Sequence, residues 1–333
     1  MTLPRIGFPV LLQSFFHQRL LTERGASAQT IASYRDTFEL LMRYLEQHTS
    51  RTPSALTIED LDASTILAFL DYLETKRGNS PRTRNLRLTA IRSFMRYASV
   101  RDPTALPVAQ RILAISSKRF DRPALVYLSR AEIEALLEAP DRSTWSGQRD
   151  GVLLAVLYNT GARVSEVAGL RVSDVLLDRE SALLLHGKGR KERVIPLWKS
   201  TAKLLRSWLI RIDRRPDAPV FPNRAGKNMS RSGVEQRLRL ALRGASEKCP
   251  SLKGRRISPH TIRHTTAMHL LQSGVDITVI AMWLGHEDTA TTHQYVEADL
   301  AMKEAALKRI DDPAAKSVRF KANDRLLAFL EAL

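Results

Sequence analysis

Apolar side chains recur at three- and four-residue steps through most of the first hundred positions, and this period restricts the stretch to helices. Ile31, Tyr34, Phe38, Leu41, Met42 and Leu45 make one such stripe, falling on a single face of a helix with about 3.6 residues per turn. Thr57 followed by Asp60 has the pattern of a helix start, and Leu61, Ile66, Phe69, Leu70 and Leu73 form the next stripe. Ser80-Pro81 opens a third helix, with Ser as N-cap and Pro at the first helical position, where its missing N–H is not needed. Between 99 and 122 the period weakens. Pro103, Pro107 and Pro123 interrupt it, and Lys118, Arg119 and Arg122 make it basic. The expectation is a helical domain over 1–100 and a basic linker over 101–123, with a short helix around 108–115.

The remainder mixes two periods. Ser129-x-x-Glu132 is a capping box on a helix bearing Ile133, Leu136 and Leu137. Residues 151–158 are apolar nearly all round, as in a buried helix, and Gly161 suits its C-terminal stop. Residues 183–197 instead read as two short strands around the turn Gly187-Lys188-Gly189. Helical patterns return at 200–212, 232–245, 259–273 and 276–284. The expected fold class is mainly α: an N-terminal helical domain plus a C-terminal mixed α/β domain, over 124–310, with a small antiparallel sheet.

Charge narrows the partner. The 333 residues carry 52 Lys+Arg against 35 Asp+Glu, a formal net charge of +17. A chain this basic with 44 % hydrophobic content has material for real cores and favours a polyanion as ligand. Cys249 is the one cysteine, so no intrachain disulfide can form, which fits a reducing cytoplasm. Residues 1–12 are too short an apolar run, broken by Pro9, to span a membrane or to read as a signal peptide. The expected location is cytoplasmic, with no membrane association.

Several charged and titratable residues stand at spacings with chemical meaning. Arg163 lies between the Gly161 stop and a helix begun by Ser165. A guanidinium braced there can offer its planar fork to two phosphate oxygens, and Glu166 can orient it; a solvated helix-junction arginine fits the same spacing. His260 and Arg263 share one face in the first turn of the helix opened by Ser258-Pro259, where unpaired N–H groups also favour an anion. His264 follows one residue on. A metal site on His260 and His264 lacks any His-Glu-x-x-His pattern or cysteine cluster, so no metal and no cofactor are expected. Lys188 sits in a glycine-flanked turn without the Gly-x-x-x-x-Gly-Lys-Ser/Thr of a nucleotide-phosphate loop, which excludes an NTPase. His286 follows Gly285, and Tyr295 comes nine residues later.

In this order the motifs Thr160-Gly161-Ala162-Arg163-Val164-Ser165-Glu166, Gly187-Lys188-Gly189, His260-Thr261-Ile262-Arg263, Leu284-Gly285-His286 and Tyr295 resemble those of the tyrosine recombinase (phage integrase) superfamily, its Xer-type and integrase-like members in particular. The resemblance runs from about Ala26 to about Leu307. It implies a core-binding first domain and a catalytic second one. Arg163, Lys188, His260, Arg263 and His286 are then the catalytic side chains, Glu166 orients Arg163, and Tyr295 is the nucleophile. After Tyr295 the chain reads Val-Glu-Ala-Asp where Xer-type relatives commonly have Thr-His-Val.

The resemblance also implies double-stranded DNA as partner. A tetramer on two DNA sites follows, of this chain alone or together with a related recombinase. The tail, 311–333, has an apolar stripe of Leu326, Leu327, Phe329, Leu330 and Leu333 and is expected to contact the next protomer. Arg82, Asn85, Thr89, Arg92 and Arg96 occupy one sector of the helix after Ser80, with Leu86, Ala90, Phe94 and Tyr97 on another side. The first four charged or amide side chains, with Arg190, Lys191 and Arg193 beside the hairpin turn, are the expected DNA contacts. Two other functions use the same motifs: a non-catalytic DNA-binding regulator on this fold, and a type IB topoisomerase-like relaxing enzyme. Both would bind DNA, and only the regulator could dispense with Tyr295.

Overall fold

Two cores organise the chain, one in the unit Met1–Pro123 and one in the unit Ala124–Leu333. The computed structural model describes residues 6–49, 51–121, 125–178, 180–187 and 191–286, with Thr292 and Tyr295. The expectations for the tail after Tyr295 lie outside these residues.

The first unit is helical: α1 (Phe8–Ser14), a wide-turn helical segment (Phe15–Glu23), α2 (Ala28–Thr49), α3 (Ala63–Thr75), α4 (Pro81–Arg101) and α5 (Leu106–Leu113). Ser80 caps α4 as its sequence indicates, its hydroxyl accepting from the Thr83 N–H at 3.3 Å. The start of α3 differs from the reading at Thr57. Asp60 accepts from both the N–H and the hydroxyl of Thr57, which closes a turn ahead of the helix. Asp62 is the true cap, accepting from the Thr65 N–H at 2.7 Å. Phe15, Phe38 and Phe94 meet edge-to-face, with Phe38 and Phe94 centroids 5.3 Å apart, and Phe8, Leu11 and Leu20 complete this core from the N-terminal segment.

The stretch read as a linker is largely part of this unit. Pro103 and Pro107 stand at the first positions of a short 3₁₀ turn and of α5, where proline begins a helix rather than breaking one. Val108, Ala109, Ile112 and Ile115 then pack into the core.

In the second unit, α6 (Arg130–Glu138) begins with the Ser129/Glu132 capping box, each side chain accepting from the other's backbone N–H. The helix α7 (Trp145–Thr160) is buried almost throughout from Gly147 onward, starting earlier than its apolar run suggests. After α8 (Val164–Ala168) comes a three-stranded antiparallel sheet in the order β1 (Val175–Leu176), β2 (Ala182–His186) and β3 (Glu192–Pro196). The two-residue β1 is too short to show a period and escapes the sequence reading. In the β2–β3 ladder Leu183 faces Ile195 and Leu185 faces Arg193. Alternation therefore puts Arg193 on the inward face with Ile195, while Val194 points out at 57 % exposure. Further helices follow: α9 (Lys199–Leu209), α10 (Arg231–Lys248), α11 (Pro259–Gln272) and α12 (Ile277–Leu284). Met268, Leu271, Ile280 and Leu284 from α11 and α12 enclose Tyr295 in a small apolar cluster. The fold is thus mainly α with a small antiparallel sheet. No helix of the described residues is long and apolar enough to cross a membrane.

Candidate active site

Two glycines in the left-handed region turn the chain into this site. Gly161 ends α7 at φ 58° and Gly285 ends α12 at φ 65°. A Cβ on Gly161 would lie 2.6 Å from Leu284 Cδ2, so any larger residue would have to displace that buried side chain and adopt a left-handed backbone as well. The turn releases Arg163 in extended backbone at the start of α8. Its N–H donates to Glu166 Oε2 at 2.8 Å, its Nη1 to Glu166 Oε1 at 2.9 Å, and its Nη2 to the Gly285 carbonyl at 3.0 Å.

Arg263 approaches from α11 and is only 3 % exposed. Its Nη1 donates to the Gly161 carbonyl and its Nη2 to the Leu284 carbonyl, both at 2.7 Å. Burial, with the charge of Arg163 next, lowers its pKa to about 10, which leaves it protonated at neutral pH. Arg163 and Arg193 pair directly with Glu166, and Arg263 also feels its charge, so three guanidiniums surround one carboxylate. That excess of positive charge attracts an anion. A cleft of about 140 Å³ lies beside it, lined by Arg163, Ser165, Arg231, Ser258, His260 and Arg263 among others. A larger cavity of about 520 Å³ around Trp145, Arg211 and Pro222 contains none of the candidate residues.

The histidines divide differently from the sequence reading. His260, one of the catalytic side chains that the resemblance implies, is exposed on the cleft, with its ring 5.7 Å from that of His264. It is His264 that meets the phenol: its Nδ1 lies 3.0 Å from Tyr295 Oη. One helical turn separates the two histidines, so the period that paired His260 with Arg263 also carried His264 to this face. Burial, then the charges of His260 and Arg263, lower the His264 pKa to about 4 and keep it neutral. His286 stacks on the Tyr295 ring at 6.3 Å between centroids, and its Nδ1 is hydrogen-bonded to Thr292 Oγ1 at 2.7 Å. Burial, then Arg263 and Arg163, lower its pKa to about 4 as well. Tyr295 itself is 1 % exposed.

The expected DNA contacts scatter. Arg190, like the catalytic candidate Lys188, lies outside the described residues, and Lys191 is exposed. Arg193 is a correction: its Nη1 and Nη2 donate to Glu166 and its Nε to the Trp283 carbonyl, so it faces the protein interior. Asn85 is another. Its amide accepts from the Lys118 N–H and donates to the Lys118 carbonyl, fastening the chain 33 residues on. Arg82 and Arg96 are exposed, whereas Arg92 is half-buried with its Nε unpartnered among the described residues. Of the residues placed on the other side of this helix, Ala90, Phe94 and Tyr97 are buried and Leu86 is 60 % exposed.

Comparison with known proteins follows the same lines. Residues 126–302 match the phage integrase family, and residues 13–102 match the phage integrase N-terminal SAM-like domain. The chain is 50 % identical over 323 residues to "Putative integrase/recombinase y4rC" of Sinorhizobium fredii, covering 97 % of each protein. It is 34 % identical over 304 residues to the tyrosine recombinase XerD of Pseudomonas putida, covering 88 % of this chain and 94 % of that one. In fold it is similar to the XerH site-specific recombinase bound to palindromic difH substrate, with a TM-score of 0.66, 21 % identity, and coverage of 86 % of this chain and 81 % of that one.

Proposed function

This chain belongs to the phage integrase family and is a site-specific DNA recombinase, and we propose that it cuts and rejoins DNA through a 3′-phosphotyrosyl link on Tyr295. The observation that carries the proposal is the meeting of Arg163, Arg263, His286 and Tyr295 at the ends of α7, α11 and α12.

The phenol oxygen attacks the scissile phosphorus and the 5′ oxygen departs as an alcohol, taking its proton from Lys188. Arg163 and Arg263 hold the non-bridging oxygens, whose negative charge grows in the transition state. With the Thr292 hydroxyl donating to Nδ1, neutral His286 keeps its Nε2–H for a phosphate oxygen. His264 holds the phenol in place. An imidazolium of pKa about 4 is too acidic for its conjugate base to deprotonate an ordinary phenol, pKa ~10, without further help. The proton therefore moves only once bound phosphate has changed the local charge, toward His264 or on to the exposed His260. With Tyr295 buried, DNA binding has to open the path from the phosphodiester to the phenol. A 5′ hydroxyl from a second duplex then attacks the phosphotyrosine, and the bond energy kept there removes any need for nucleotide hydrolysis. The first unit acts as the other half of a DNA clamp through Arg82 and Arg96. Exchange between two duplexes requires a tetramer, which segment 311–333 links.

The test is covalent trapping. A duplex selected by the protein from a random-sequence pool, and nicked near the cut, should capture the wild type as a denaturant-resistant adduct. Tyr295→Phe should bind the same duplex within a few-fold and form none. An adduct of normal yield with Tyr295→Phe sinks the assignment.

A further inference from the structure

Three segments that carry proposed site residues meet on one side chain that the sequence offered as a DNA contact. Arg193 lies on the inward face of β3, opposite Leu185, with only 12 % of its side chain exposed. Its Nη2 donates to Glu166 Oε2 at 2.7 Å, its Nη1 to Glu166 Oε1 at 3.1 Å, and its Nε to the Trp283 carbonyl at 3.0 Å. The guanidinium also packs on Gly285, where an added Cβ would come within 3.0 Å of Nη1. One planar group thus joins β3 to the α8 carboxylate and to the end of α12. Only arginine has N–H groups set to do this in fixed directions; the single ammonium of lysine cannot span them.

We infer that Arg193 is a positioning residue that acts through Glu166 on Arg163 and through the α12 terminus on His286, and that it does not touch DNA. This rests on the proposed role of Arg163 as a phosphate clamp. Glu166 shows how strongly the two arginines are coupled. Burial pushes its pKa up, and the hydrogen bond and charge of Arg193, followed by the hydrogen bonds of Arg163, bring it below the ordinary carboxylate value. Arg163 donates to that same carboxylate and to the Gly285 carbonyl, so both arginines hold the same two segments. Without Arg193, Glu166 would have Arg163 as its only direct arginine partner among the described residues. The fork of Arg163 is then drawn toward the carboxylate and away from an incoming phosphate, while the end of α12 loses one of its three guanidinium ties.

The experiment uses the full chain and the selected duplex, measuring binding as a function of salt and single-turnover cleavage of its nicked form. Adduct formation by the wild type comes first, since its failure defeats the reading of Tyr295 and the arginines and leaves Arg193 aside. Given cleavage by the wild type, Arg193→Ala should slow it about 100-fold, the scale of one misplaced oxyanion donor, with Kd and its salt slope unchanged. Arg163→Ala with Arg193→Ala should lose clearly less than the product of the two single losses, by about tenfold or more, because the route through Glu166 is already gone without Arg163 and only that through the α12 terminus is left. Arg193→Lys should recover less than about tenfold. Multiplicative losses in the double variant overturn the inference, as does undiminished cleavage by Arg193→Ala. A salt slope shallower by about 0.9 would make Arg193 a phosphate contact and overturn it too. If Arg193→Ala no longer binds the duplex, Arg193→Lys carries the same two comparisons.

Discussion

On α4 of the first unit Arg82 and Arg96 stand in solvent, whereas in the second unit Arg263 is almost wholly buried and fixed by two carbonyls at 2.7 Å. The contrast is one of preorganisation. Ordering a free arginine on a phosphate costs up to ~2 kcal/mol of side-chain entropy at the moment of binding. Arg263 and Arg163 have met that cost during folding, so their charge is available where it develops in a reaction. The first unit's arginines are suited to affinity, and the second unit's to chemistry.

The largest expected effect tests that division directly. Arg263→Ala should lower cleavage of the nicked duplex by about 10³-fold or more while changing its binding only a few-fold. It also strips a donor from the Gly161 and Leu284 carbonyls, which should appear as about 1–3 kcal/mol per carbonyl in urea unfolding. A loss in cleavage below tenfold would erase the distinction between the two sets of arginines.

Protonation comes next. His264 and His286 have folded pKa values of about 4, below the ordinary histidine value. Their contribution to stability is therefore complete above pH ~6.5 and is lost as pH falls toward 4. His186 has the opposite sign: hydrogen bonding to Asp174 raises its pKa, so its contribution is present below pH ~6.5 and fades as pH rises. Melting temperature should drop between pH 7 and 4.5, and the drop should flatten in the double variant His264→Gln, His286→Gln. An unaltered drop there would assign the acid sensitivity elsewhere.

The smallest effects belong to the first unit. Arg82→Ala or Arg96→Ala should weaken duplex binding a few-fold and make the salt slope shallower by about 0.9, with cleavage at saturating protein unchanged. A change in the cleavage rate itself would show that α4 does more than hold DNA.

What could be read in the sequence was what local physics fixes. Ser80, the Ser129 capping box, Gly161 and Gly285 sit at helix ends because their own backbone or hydroxyl settles the geometry. Phe15 and Leu20 escaped because the wide-turn segment Phe15–Glu23 breaks the 3.6-residue phase that a stripe depends on. Asn85 escaped for a different reason: its partner Lys118 is remote in sequence, beyond two prolines that begin elements instead of ending them. Arg193 and His264 were legible in principle. Period-two alternation puts Arg193 with Ile195, and the four-residue helical step puts His264 with His260. Arg193 stands in a run of basic residues and His264 beside the motif histidine His260, and each is surrounded by a louder signal than the period that sets its face.

The fastenings of Arg163 and Arg263 differ in kind, and that sets the order in which the site comes apart. Glu166 is a carboxylate, so strong acid discharges it and releases the Arg163 and Arg193 side chains from it together. The Gly161 and Leu284 carbonyls have no proton to gain in that range and no net charge for salt to screen. Under acid stress Arg163 keeps only its bond to the Gly285 carbonyl, while Arg263 stays moored by both of its own. Since the mooring is main chain, side chains along these turns can be exchanged without loosening it, provided the backbone at Gly161 keeps its left-handed bend.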